Sequence, residues 1–200
     1  MAKPKHNHPF IKFVRRECKR HGVKFVLQHT SEISEDEFPC GGYFSEEPPE
    51  LVVATRVLYP YFLSTLVHEY SHMLQWLDKD SVTYHVDYWD IFNRWLSGEN
   101  FKKSTIKRCI RIIRDCEVDC DRRAVELIKK HKLPINIEKY EQRAGAYAYF
   151  YNYIRYTRKW EYNNDTEKLI RISEKLPPKL DGDYSKTPRK VMRLFKKHMR

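Results

Sequence analysis

Glycine is scarce in this chain: six in 200 residues, with ten prolines. That is too few for a linker-rich or low-complexity protein, and no internal repeat is present. Cysteine is also sparse and odd in number: Cys18, Cys40, Cys109, Cys116 and Cys120. No CxxC pair occurs among them, so a structural zinc built from cysteines alone is not expected. The opening "MAKPKHNHPFIKF" is charged and lacks the apolar core of a secretory leader. No apolar run approaches the ~18 residues of a membrane span. Free thiols, a cytoplasmic location and no membrane partner are the expectation.

Acidic residues are in deficit. Lys and Arg number 38 against 27 Asp and Glu, a formal net charge of +11. That balance suits an acidic partner, nucleic acid among them, although solvated lysines alone produce the same count. Hydrophobic residues make up 41% of the chain, enough to build a sizeable core.

The patterning changes along the chain. "FIKFVRRECKRHG" carries Phe10, Phe13, Val14 and Cys18 at helical spacing and stops at Gly22. "VKFVLQH", "CGGYFSEE" and "ELVVATR" read as short strands, the last two separated by the turn-prone "EEPPE". A helix over roughly 60–77 follows, with Leu63, Leu66, Val67, Tyr70, Leu74 and Leu77 as its core stripe. "DYWDIFNRWL" predicts a short helix, 105–131 the longest one, and "IEKYEQRAGAYAYFYNYIRYTRKW" another. "KVMRLFKKHMR" predicts a final helix, with Thr187 as N-cap and Pro188 in its first position. The order predicts an α+β protein: a helix and a small, mainly antiparallel sheet, then an all-helical remainder. One domain over 1–175 is expected, divided into 1–59 and 60–175, with 176–200 as a basic tail or docking helix.

Within the 60–77 helix stands "HEYSH". Residues four apart on a helix share a face, so His68 and His72 can direct ring nitrogens at one ion. Glu69 can reach a water on that ion and take its proton. Two histidines and one further ligand leave a zinc position open.

Two residues compete as third ligand. Glu117 lies in the inward row Ile106, Ile110, Ile113, Glu117, Cys120, Ala124, Leu127 of the long helix. A lone carboxylate in such a row calls for a metal or an ion pair. Asp121, one turn on, can hold a ligand histidine's second nitrogen. His85 follows His72 by thirteen residues, past a turn, in more polar surroundings. Tyr147 and Tyr151, four apart in "AGAYAYFYNYIRY", are candidate donors to a developing oxyanion; aromatics at that density also form cores.

"HEYSH" together with the Glu117-x-x-x-Asp121 pattern in "EVDCD" resembles the gluzincin branch of zinc metallopeptidases, over roughly residues 23–127. The chain is more specifically similar to small gluzincin-like proteins, several of them viral. The resemblance implies a zincin-like fold and a single Zn2+ on His68, His72 and Glu117. It also implies peptide hydrolysis with Glu69 as general base and acid, Asp121 supporting a histidine, and an edge strand, here "ELVVATR", that binds substrate backbone. "HEYSH…YHVDYW" resembles the SprT/Spartan-like proteases, with His85 as third ligand and Trp89 as the aromatic after it; these act on DNA-bound proteins. The chain departs from both patterns. Tyr84 and Val86 flank His85 where a glycine is usual, no cysteine-rich module follows, and Cys116 replaces the asparagine that commonly precedes the ligand glutamate.

Overall fold

Pro9 opens helix α1 (Pro9–Arg20), and the Nδ1 of His8 accepts the Phe10 backbone N–H at 3.2 Å. Gly22 turns the chain out at φ +71°, a conformation that favours glycine. The structure is a computed structural model, and it describes residues 8–35, 38–78, 86–160 and 162–199. Among the described residues five strands follow α1: β1 (Lys24–Gln28), β2 (Ile33–Glu35), β3 (Phe38–Cys40), β4 (Gly42–Glu46) and β5 (Pro49–Ala54). Then come α2 (Tyr59–Leu77), α3 (Val86–Leu96), α4 (Lys103–His131), α5 (Ile137–Thr157), α6 (Tyr162–Ser173) and α7 (Arg189–His198). The fold is α+β. Among the described residues no helix is long and apolar enough to cross a membrane.

The chain forms two compact units. The first is Met1–Lys79 with Arg123–Ile135. Its sheet has the order β1-β5-β4, with β1 parallel and β4 antiparallel to β5, and β2 pairs with β3 separately. The sheet is therefore mixed. Its central strand is β5, which corrects the expectation that "ELVVATR" is an edge. The reason is burial: Leu51, Val52, Val53 and Ala54 are all inaccessible, so both faces of the strand are covered. The half-buried β1 and β4 are the edges. Glu50 on β5 ties all three strands, accepting Tyr43 Oη of β4 at 2.6 Å and Lys24 Nζ of β1 at 3.0 Å.

Helix α2 packs on β4 and β5. Leu63, Leu66, Val67 and Tyr70 of its stripe are buried, joined by Phe62 and Met73; Leu74 and Leu77 are half-buried. Met73 meets Cys18 of α1 at 3.6 Å between sulfurs. The last turns of α4 close this unit. His131 packs on Phe10 and Phe13, with ring centroids 5.0 and 4.7 Å away, and Arg123 bonds Asp78 at the end of α2 at 3.1 Å.

The second unit is Asp80–Arg122 with Asn136–Arg200. Phe92, Ile106, Ile110, Ile113, Phe150, Ile154, Ile172 and Phe195 build its core. Tyr151 is buried there, its ring 5.8 Å from that of Trp160, and half-buried Tyr147 packs against the same core. Thr187 does not cap α7: the N-cap position falls on Pro188, with no side-chain cap. The Thr187 hydroxyl instead accepts Asn152 Nδ2 at 3.1 Å, and that amide also bonds the Tyr184 carbonyl.

Candidate metal centre

Helix α2 carries its polar residues without disrupting its own backbone. Ser64, Thr65 and Ser71 return their hydroxyls to the carbonyls of Pro60, Tyr61 and Val67, one turn back. The leucine-rich face takes the core, leaving His68 and His72 on a different face, both half-buried. Their Nε2 atoms are 3.2 Å apart and their ring planes nearly perpendicular, at 89°. Two imidazoles on one tetrahedral zinc, at Zn–N of about 2.0–2.1 Å, place their nitrogens about 3.3–3.4 Å apart. The pair therefore already has the separation of two ligands of one ion.

The far side of His72 is held too. Its Nδ1 lies 2.9 Å from Oε1 of Gln75, a side chain with no solvent exposure. Since an amide oxygen only accepts, Nδ1 carries the proton and the Nε2 lone pair points to His68. Orientation of a ligand histidine through its second nitrogen is a regular feature of metal sites.

The third member is Cys120. Its Sγ and one ring nitrogen from each of His68 and His72 all lie within 4.8 Å of one another, so this His-His-Cys group can hold a metal ion. Cys120 is completely buried. It stands one turn before Arg123, where α4 joins the first unit. The helix is unbroken there, so Cys120 sits about 4.5 Å along the axis from Arg123. Two imidazoles and a thiolate are a donor set zinc accepts readily, and three protein ligands leave a tetrahedral ion one open position.

Glu69 is buried on α2 beside the pair. Strand β4 comes down on it: a methyl group at Gly42 would lie 3.2 Å from Glu69 Cγ. Only a residue without a side chain lets an edge strand approach the helix so closely at this point.

The remaining expected residues are placed as follows. Glu117 is half-buried, one turn before Cys120 on α4, and is not part of the three-residue group. Asp121 is buried and accepts the Tyr140 hydroxyl at 2.8 Å. His85 lies outside the described residues. The reading from sequence missed Cys120 and Gln75. Both had a signal: Cys120 lies three residues beyond Glu117 in the same inward row, and Gln75 three beyond His72 on the same helix. Comparison with protein-family models, with curated proteins and with solved structures finds no match to this chain.

Proposed function

We propose that this chain is a zinc-dependent hydrolase of peptide bonds, with His68, His72 and Cys120 as metal ligands and Glu69 as general base. The observation that carries the reading is the convergence of the two Nε2 atoms of the HExxH helix, 3.2 Å apart, with the thiol of Cys120 beside them. The donor set fits zinc, and the Gln75 bond to His72 supports the tautomer a ligand needs. When bound, zinc supplies Lewis acidity that lowers the pKa of water and polarises a carbonyl.

The chain's own residues supply the rest. Glu69 follows His68 directly, so its carboxylate is carried by the same turn as the first ligand. It takes the proton of the attacking water and returns it to the leaving amine. Burial of Glu69 under β4 keeps bulk water from competing for that proton. Tyr151 is held in the aromatic core of the second unit, so no oxyanion role is assigned to it.

Metal analysis of the purified protein and digestion of a mixed peptide library test the reading. About one zinc per chain is expected, and Glu69→Gln should keep the metal while losing cleavage about 10²–10⁴-fold. Unaltered cleavage by Glu69→Gln refutes the role of Glu69. Zinc without cleavage in the wild type makes the centre structural.

A further inference from the structure

Seven of the seventeen residues from Tyr184 to Arg200 are basic, and none is acidic. Most of them lie on α7. Val191 and Phe195 of that helix are buried in the core of the second unit, while Arg189, Lys190, Arg193, Lys196 and Lys197 are exposed. Arg189, Arg193 and Lys197 recur every four residues, one row of cations about 12 Å long.

Helix stability accounts for only part of this arrangement: Lys196 and Lys197 in the last turn suit the negative end of the helix, but the cations at its start do not. A helix N-terminus favours acidic residues, yet α7 has none in its first turn and starts with Arg189 and Lys190. Nor are the charges neutralised locally: among the described residues no carboxylate forms an ion pair with Lys175, Arg189, Lys190, Arg193, Lys196 or Lys197. Helix α6 packs on α7. Lys175, just past α6, brings its Nζ to 3.0 Å from His198 Nε2. Burial lowers the His198 pKa, and Lys175, Lys197 and Arg171 lower it further, as expected where positive charges crowd together.

We propose that the exposed face of α7, with Lys175 beside it, binds the phosphodiester backbone of nucleic acid without reading its sequence. A duplex offers about one negative charge per 1.7 Å, so a row of this length faces several phosphates at once. An anionic membrane fits less well. A helix that lies in a bilayer surface needs a free apolar face, and Val191 and Phe195 are already used in the core. This inference does not depend on the peptidase reading.

The test uses the full chain and a fluorescent random-sequence duplex of about 20 base pairs, followed by anisotropy between about 50 and 200 mM salt. The wild type should bind, with log K falling linearly with log salt. The Lys175→Gln/Lys196→Gln/Lys197→Gln variant should bind at least about tenfold more weakly, with a slope shallower by about 0.9 for each phosphate no longer neutralised. A second triple variant in the first unit, Lys129→Gln/Lys130→Gln/Lys132→Gln, removes the same charge and should bind as the wild type does. No binding at about 50 mM salt overturns the proposal. So does an equal loss in both variants, which indicates net charge alone, or retention of the protein on phosphatidylserine vesicles but not on DNA.

Discussion

Replacement of Gly42 by alanine perturbs the contact between β4 and the Glu69 turn of α2. The added methyl would lie 2.7 Å from the Val52 carbonyl oxygen, 2.9 Å from Thr65 Cγ2 and 3.2 Å from Glu69 Cγ. The first contact is with the backbone of the central strand, which is paired on both sides and cannot swing away. Strand β4 must therefore move outward. Overpacking of this kind costs about 1–3 kcal/mol, or about 2–12 °C in melting temperature for a chain of this size. Thr65→Ser removes Cγ2 but leaves the Val52 contact, so the double variant should recover only part of the loss. Gly41→Ala is the control: its methyl would meet nothing closer than Thr65 Oγ1 at 3.2 Å, at an exposed position, and should cost less than about 1 kcal/mol. Urea unfolding of the four variants measures these differences as midpoint shifts at constant slope. If Gly42→Ala unfolds within about 0.5 kcal/mol of the wild type, β4 does not lie on α2 at Glu69 and the description of the site is wrong.

Two further outcomes are expected. Gln75→Leu removes the acceptor that holds His72 Nδ1 and should weaken zinc about 10–100-fold in chelator competition, whereas Gln75→Glu keeps an acceptor and should retain tight binding; equal affinity in both variants contradicts a role for Gln75. Tyr43→Phe tests the tie across the sheet. The Tyr43 hydroxyl, then Lys24, hold the Glu50 pKa below its ordinary value. A depressed folded-state pKa means that the stability is fully present above the ordinary carboxylate range, near pH 4.3, and is lost as pH falls through the lower folded value. Tyr43→Phe should thus cost about 1 kcal/mol at pH 7, a cost that shrinks below about pH 4; a difference that stays constant across that range contradicts the coupling.

The helices were legible because each pairs an apolar stripe with a stop signal. Phe10, Val14 and Cys18 run to Gly22, and Ile106 through Leu127 follow one inward row in which every residue except Glu117 is buried. The His68–His72 pair was legible because i,i+4 spacing is a local property of a helix. Strand order was not. "ELVVATR" has the same composition at a centre or an edge, and its place depends on which distant segments pair with it. The place of Cys120 beside the histidine pair was not legible for a similar reason. Glu117 and Cys120 share one face of α4, and which of them meets the histidines depends on how far along its length that helix approaches α2. A cysteine in an apolar row also reads as an ordinary buried residue. Thr187 shows a smaller failure of the same kind: its capping hydroxyl is taken by Asn152, far away in the chain.

The identity of the third ligand is the most exposed part of the account, and zinc K-edge X-ray absorption measures it directly. Two nitrogens at about 2.0 Å and one sulfur at about 2.3 Å are predicted, with the sulfur shell lost in Cys120→Ser and kept in Glu117→Gln. A spectrum with nitrogen and oxygen neighbours alone, changed by Glu117→Gln and not by Cys120→Ser, would contradict it.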